Sequence, residues 1–160
     1  MQRKRSLDQC YQFKGVTISS KFTAKNQYKL NMPREFIECS PFRPIGPYSH
    51  AVKSGNLVFV SGTPGVDPKT GELAGATAYA QAAQAIRNVI ECVVAAGGTE
   101  ADITAVQVNL VHVDDFTEMN RAYAEYFSEP FPARTVIGIA ALPKPGARLT
   151  INATAVVPSK

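Results

Sequence analysis

No stretch of the chain approaches the roughly 20 uninterrupted apolar residues that a membrane span requires, so no transmembrane helix is expected. An N-terminal apolar h-region is also missing, which argues against secretion. Cysteine and histidine are scarce: Cys10, Cys39 and Cys92 form an odd set without metal-ligand spacing, and His50 and His112 lie far from them. Neither a disulfide framework nor a zinc site is expected from such a set. Cys92, among Ile90, Val93 and Val94, reads as a buried inert thiol, and this usage fits a reducing compartment. Aspartate and glutamate are absent from residues 130–160. Arg134, at the head of "FPARTVIGIA", therefore has no acid near it in sequence.

What is present suits one globular domain. A chain of 160 residues buries about 70% of its unfolded surface on folding, enough for a single ordinary core. The net charge of +4 is unevenly placed. Residues 1–31 hold seven basic side chains against the single acid Asp8, a balance of +6, whereas residues 32–160 carry ten basic and twelve acidic side chains, a balance of −2. A nucleic-acid surface needs basic residues clustered on the folded part, so no nucleic-acid partner is expected. Residues 1–31, rich in Lys, Ser, Thr and Gln and poor in apolar periodicity, read as a basic disordered extension ahead of a domain at 32–160. The expected location is cytoplasmic; the alternative is mitochondrial, if this acid-poor, hydroxyl-bearing segment acts as a transit peptide.

Periodicity orders the domain. "REFIEC" and "LVFVSG" read as short strands. From Thr77 to Ala96 the residues Ala82, Ile86, Val89, Ile90 and Val93 recur at helical spacing, with Gly97-Gly98 as the stop. "AVQVNLVHV" alternates as a half-buried strand, leaving His112 on its exposed face. Asp115 with Glu118 predicts an N-terminal cap, and Phe116, Met119, Tyr123 and Phe127 the inner stripe of a second helix. "RTVIGIAAL" and "RLTINATAVV" form two last strands, the latter with Leu149, Ile151, Ala153 and Ala155 on one face. The order β, β, α, β, α, β, β predicts an α+β domain with helices on one face of a mixed sheet.

Within that frame Arg134 needs an anion, because a half-buried guanidinium cannot shed its charge. Its planar fork matches a carboxylate through two parallel hydrogen bonds. A structural salt bridge with an acid from elsewhere in the chain is the alternative.

The segments "IGPYSHAV" (45–52), "SGT" (61–63), "FPAR" (131–134) and "TINA" (150–153), with "DPKTGEL" (67–73), "MNRAYAEYF" (119–127) and "ALPK" (141–144) between them, resemble the RidA family, also called the YjgF family. The resemblance spans about residues 34 to 158. It implies a chorismate-mutase-like α+β fold, a homotrimer with ligand sites between subunits, and hydrolysis of 2-imino and enamino acids to 2-keto acids and ammonia, without metal or cofactor. By family position Arg134 holds the substrate carboxylate. Tyr48 lines the cleft, Gly62 and Thr63 contact the ligand near the imine, and Asn120 borders the pocket. Tyr48 could equally be turn packing, and Gly62 a strand-end glycine. Members described as ribonucleases or translation inhibitors offer a third reading, disfavoured by the charge balance and the lack of a His pair for acid–base cleavage.

The chain also departs from the family. Many deaminase members read "EIEA" where this chain reads "TINA", so Thr150 and Asn152 replace two acids. Neither is a general base, although Thr150 can orient a water. The alternative function is then a non-catalytic trimer that binds small carboxylate metabolites. Val136 stands where some members carry cysteine, and Gly138, often polar in the family, is expected to open the cleft to a larger ligand.

Overall fold

The computed structural model describes residues 12–13, 16–17, 34–39 and 44–158. Residues 1–32 and 33–160 form two separate units. In the first, β1 (Gln12–Phe13) pairs antiparallel with β2 (Val16–Thr17). The expectation of disorder for the rest of 1–31 lies outside the described residues.

The second unit is one six-stranded mixed sheet with two helices. Its strands are β3 (Glu35–Ile37), β4 (Ala51–Ser54), β5 (Leu57–Pro64), β6 (Ile103–Leu110), β7 (Ala133–Gly138) and β8 (Leu149–Val156). Their order across the sheet is β3-β4-β5-β8-β6-β7. Every pair is antiparallel except β6 and β7, which run parallel. This confirms the α+β class. One strand, β4, was not expected: "AVKS" is too short to show a period, yet it pairs with both β3 and β5.

Helix α1 (Ala78–Ala95) begins where the Thr77 side chain accepts a hydrogen bond from the Ala80 amide at 3.2 Å. It ends as the glycine pair predicts. Gly97 adopts φ +93, its amide donates to the Val94 carbonyl, and the Gly98 amide donates to the Val93 carbonyl, which together make a Schellman stop. The fully buried stripe of Ala82, Ile86, Val89 and Val93 packs onto β5 and β8. Helix α2 (Phe116–Tyr126) packs against α1. Its Met119, Ala122 and Tyr123 join the same core as Val106, Val108, Leu110, Leu149, Ile151, Ala153 and Ala155. At about 25 cal/mol per Å² of apolar surface removed from water, this cluster is the main stabilising element.

The α2 stripe holds through Met119, Tyr123 and Phe127 but differs from expectation at its N-terminal end. Phe116 is 41% exposed, because as the first helical residue it stands beyond the part of α2 that the core covers. Asp115 occupies the N-cap position but makes no capping hydrogen bond. Its carboxylate instead takes both arms of Arg148, at 2.6 and 2.9 Å, a charge-assisted bidentate pair that outcompetes a single amide.

The cysteine reading is also corrected. Cys39, just past β3, is disulfide-bonded to Cys92 of α1, 53 residues later. Pairing of β3 on β4 carries residues 37–39 over the core, where Ile37 and Cys39 pack against it. Sequence spacing alone has no signature for such an approach, and cysteine usage no longer points to a reducing compartment. No described helix is long and apolar enough to cross a membrane.

Candidate functional site

Arg134 is the second residue of β7, directly after "FPA". In the parallel ladder it lies opposite Val106, a core residue, so its side chain projects from the helix-bearing face of the sheet. There the guanidinium carbon stands 4.4 Å from the centre of the Tyr123 ring on α2. Asn120, Tyr123 and Ala124 of α2, with Phe131, Pro132 and Arg134, line a recess of about 520 Å³. That volume falls in the range of small-molecule sites. Among the described residues no carboxylate pairs with Arg134, and no hydrogen bond holds it. The internal salt bridge weighed as its alternative role is therefore not made by the described residues.

Thr150 lies on the opposite face. It is the second residue of β8, paired with Asn109 of β6 and Pro64 of β5. The Asn109 amide donates to the Thr150 hydroxyl at 3.2 Å and more weakly to the Asn152 carbonyl oxygen at 3.5 Å, while Gln107 donates to Asn109 at 2.9 Å. Where the resemblance leads one to look for two acids, this chain has a ladder of neutral amides and one hydroxyl. A register shift in β5 between Val60 and Thr63 brings Gly62 to Thr150, such that a methyl group on Gly62 would stand 3.7 Å from the Thr150 hydroxyl oxygen.

The six residues singled out from the sequence thus fall into separate groups within one chain. Asn120 and Arg134 share the recess beside α2, and Gly62 and Thr150 meet on the open face of the sheet. Thr63 is 5% exposed, and its hydroxyl donates to the Ser61 carbonyl at 2.8 Å, inside the bulge. Tyr48, 44% exposed ahead of β4, meets the His50 ring edge-on at 5.7 Å and does not line the Arg134 recess.

Gly138 does not widen the cleft. A side-chain carbon there would come within 2.9 Å of Val113 Cγ2, so the space that glycine leaves is taken by a valine following β6. Sequence reading missed Tyr123 as a neighbour of Arg134, because helical periodicity assigned it wholly to the core. The signal available was its position three residues after Asn120, one turn along the same helix face.

The fold defines a small α+β protein with a six-stranded mixed sheet and two helices on one side. Residues 39–157 match the family described as Endoribonuclease L-PSP. The chain is 43% identical over 109 residues to a RutC family protein of Pyrococcus horikoshii, covering 68% of this chain and 86% of that one. It is 39% identical over 112 residues to the 2-iminobutanoate/2-iminopropanoate deaminase of Homo sapiens, covering 70% and 81%. The structure of E. coli TdcF with bound serine superposes with a TM-score of 0.71 at 36% identity, covering 78% of this chain and 99% of that one. The chain belongs to the Endoribonuclease L-PSP family, the RidA (YjgF) family that its motifs resemble.

Proposed function

We propose that this protein hydrolyses 2-imino and enamino acids to 2-keto acids and ammonia, with Arg134 binding the substrate carboxylate. The observation that carries this reading is a guanidinium without a carboxylate partner among the described residues, stacked on a tyrosine in a recess of substrate size. The names of curated relatives at about 40% identity support the reaction class.

The chemistry asks little of the protein. Water adds to the imine carbon, the resulting carbinolamine expels ammonia, and the carbonyl of the keto acid forms. Holding the carboxylate in the Arg134 fork and a water beside the imine supplies proximity and orientation. Thr150 orients that water by hydrogen bonding and is not a base. Because Arg134 and Thr150 project from opposite faces of one sheet, a complete site combines the Arg134 recess of one subunit with the Gly62–Thr150 surface of another. A homotrimer with inter-subunit sites is the assembly that the family resemblance implies. Phe36, Phe59 and Ile137, exposed by 63%, 44% and 42%, give the subunits apolar surface to bury.

The neutral Gln107–Asn109–Thr150–Asn152 ladder favours a second reading, a trimer that binds small carboxylates without turning them over. Ammonia release from freshly generated 2-imino acids, wild type beside Arg134→Ala, separates the two. The deaminase predicts acceleration that the variant loses, with about 1.5–3 kcal/mol less carboxylate binding. Wild type that binds 2-oxobutanoate yet never exceeds background release would establish the binder.

A further inference from the structure

We propose that Tyr123 is the positioning residue that sets the plane of Arg134, through its ring and not its hydroxyl. The inference rests on the reading of Arg134 as the carboxylate ligand and goes beyond it by asking what holds the fork ready.

An arginine side chain carries substantial rotamer freedom, and a bidentate contact demands one guanidinium plane. No hydrogen bond or carboxylate among the described residues imposes that plane on Arg134. The Tyr123 ring does lie within cation–π range, at 4.4 Å. The ring thus stands against the guanidinium, and both residues line the recess.

The platform itself is fixed. Tyr123 is 5% exposed, packs its ring 4.5 Å from that of Phe127, and sits in the core with Met119 and Ala122. Its hydroxyl is shut away from solvent and makes no hydrogen bond. Burial pushes the phenol above its ordinary value of 10.0, while the Arg134 charge opposes that shift. A neutral ring under the cation is the form that persists through the physiological range. The ring therefore meets the cation on one side and the core on the other.

The test measures 2-oxobutanoate binding and imine-hydrolysis kinetics on the full chain. Tyr123→Phe is expected to match wild type within about twofold. Tyr123→Leu is expected to bind about three- to tenfold more weakly, with KM raised and kcat little changed, because carboxylate binding is felt alike in ground and transition states. Melting temperatures identify any variant that fails to fold. Arg134→Lys approaches the same question without touching the core: it keeps the charge but loses the stacked plane, and it too is expected to bind more weakly. Equal loss in Tyr123→Phe and Tyr123→Leu would assign the effect to the hydroxyl and overturn the proposal. Wild-type binding by a folded Tyr123→Leu, or by Arg134→Lys, would overturn it as well. The underlying reading fails separately, and the proposal with it, if Arg134→Ala binds 2-oxobutanoate as wild type does.

Discussion

Arg134 is exposed rather than half-buried, and among the described residues it has no counter-charge, so its fork is open to an anion from solution. Arg134 was legible because it heads an apolar run in a region with no acids. Its platform was not, since Tyr123 satisfies the helical core period as fully as any leucine would. Thr150 was legible only against the family pattern, and its partner Asn109 looked like any polar residue on an alternating strand. That pairing makes position 150 testable. In Thr150→Glu the Asn109 amide remains available to hydrogen-bond the new carboxylate, and a group able to accept a proton then faces the water. Ammonia release is expected to be kept or to rise. Its pH profile is expected to gain an acid limb, climbing with pH as the glutamate ionises, where wild type has none. A flat profile in the variant would show that position 150 does not reach the reacting water.

At the scale of elements, the long periodic segments were readable because each buries one face. Both helices, and the alternation of β6 and β8, follow directly from the apolar positions. The missed strand β4 is joined to β5 by the two-residue turn Gly55-Asn56, with Gly55 at φ +62. That dipeptide is itself a hairpin signal, although the four residues before it showed no alternation. Asp115 was assigned by local rules to a cap, while its true partner lies 33 residues away on the approach to β8. Local pattern cannot reveal a partner that only the tertiary fold supplies. Asp115 is 8% exposed and the Arg148 side chain 34%. Asp115→Ala is therefore expected to cost about 1.5–3 kcal/mol in denaturant unfolding, towards the lower end because Arg148 keeps part of its water. A change below about 0.5 kcal/mol would mean that the pair contributes nothing net.

For the whole molecule, the decisive feature is the thickness of the sheet that separates Arg134 from Thr150. If each complete site is shared between neighbours, then a subunit lacking one half can be rescued by a subunit lacking the other. Arg134→Ala chains and Thr150→Trp chains, each inactive alone, are expected to regain part of the activity when unfolded and refolded together. No recovery in such mixtures would count against a site shared between subunits. A mixed sheet with helices on one face was within reach of the sequence; the strand order, which sets β7 at an edge beside β6, came only with the structure. The placement of Arg134 and Thr150 on opposite faces was not legible either, because face assignment on β7 depends on a parallel register with β6 that no local pattern encodes.

The bond between Cys39 and Cys92 has a further consequence for continuity. It encircles β4, β5 and the exposed turn at Lys69 and Thr70 within one covalent ring. A backbone severed at that turn would still be a single molecule, with β3–β5 tethered to α1 and everything after it. Closing a ring of this length removes about 4 kcal/mol of chain entropy from the unfolded state on the loop-closure relation. An exposed turn of the domain is thus also one whose breakage the architecture can survive.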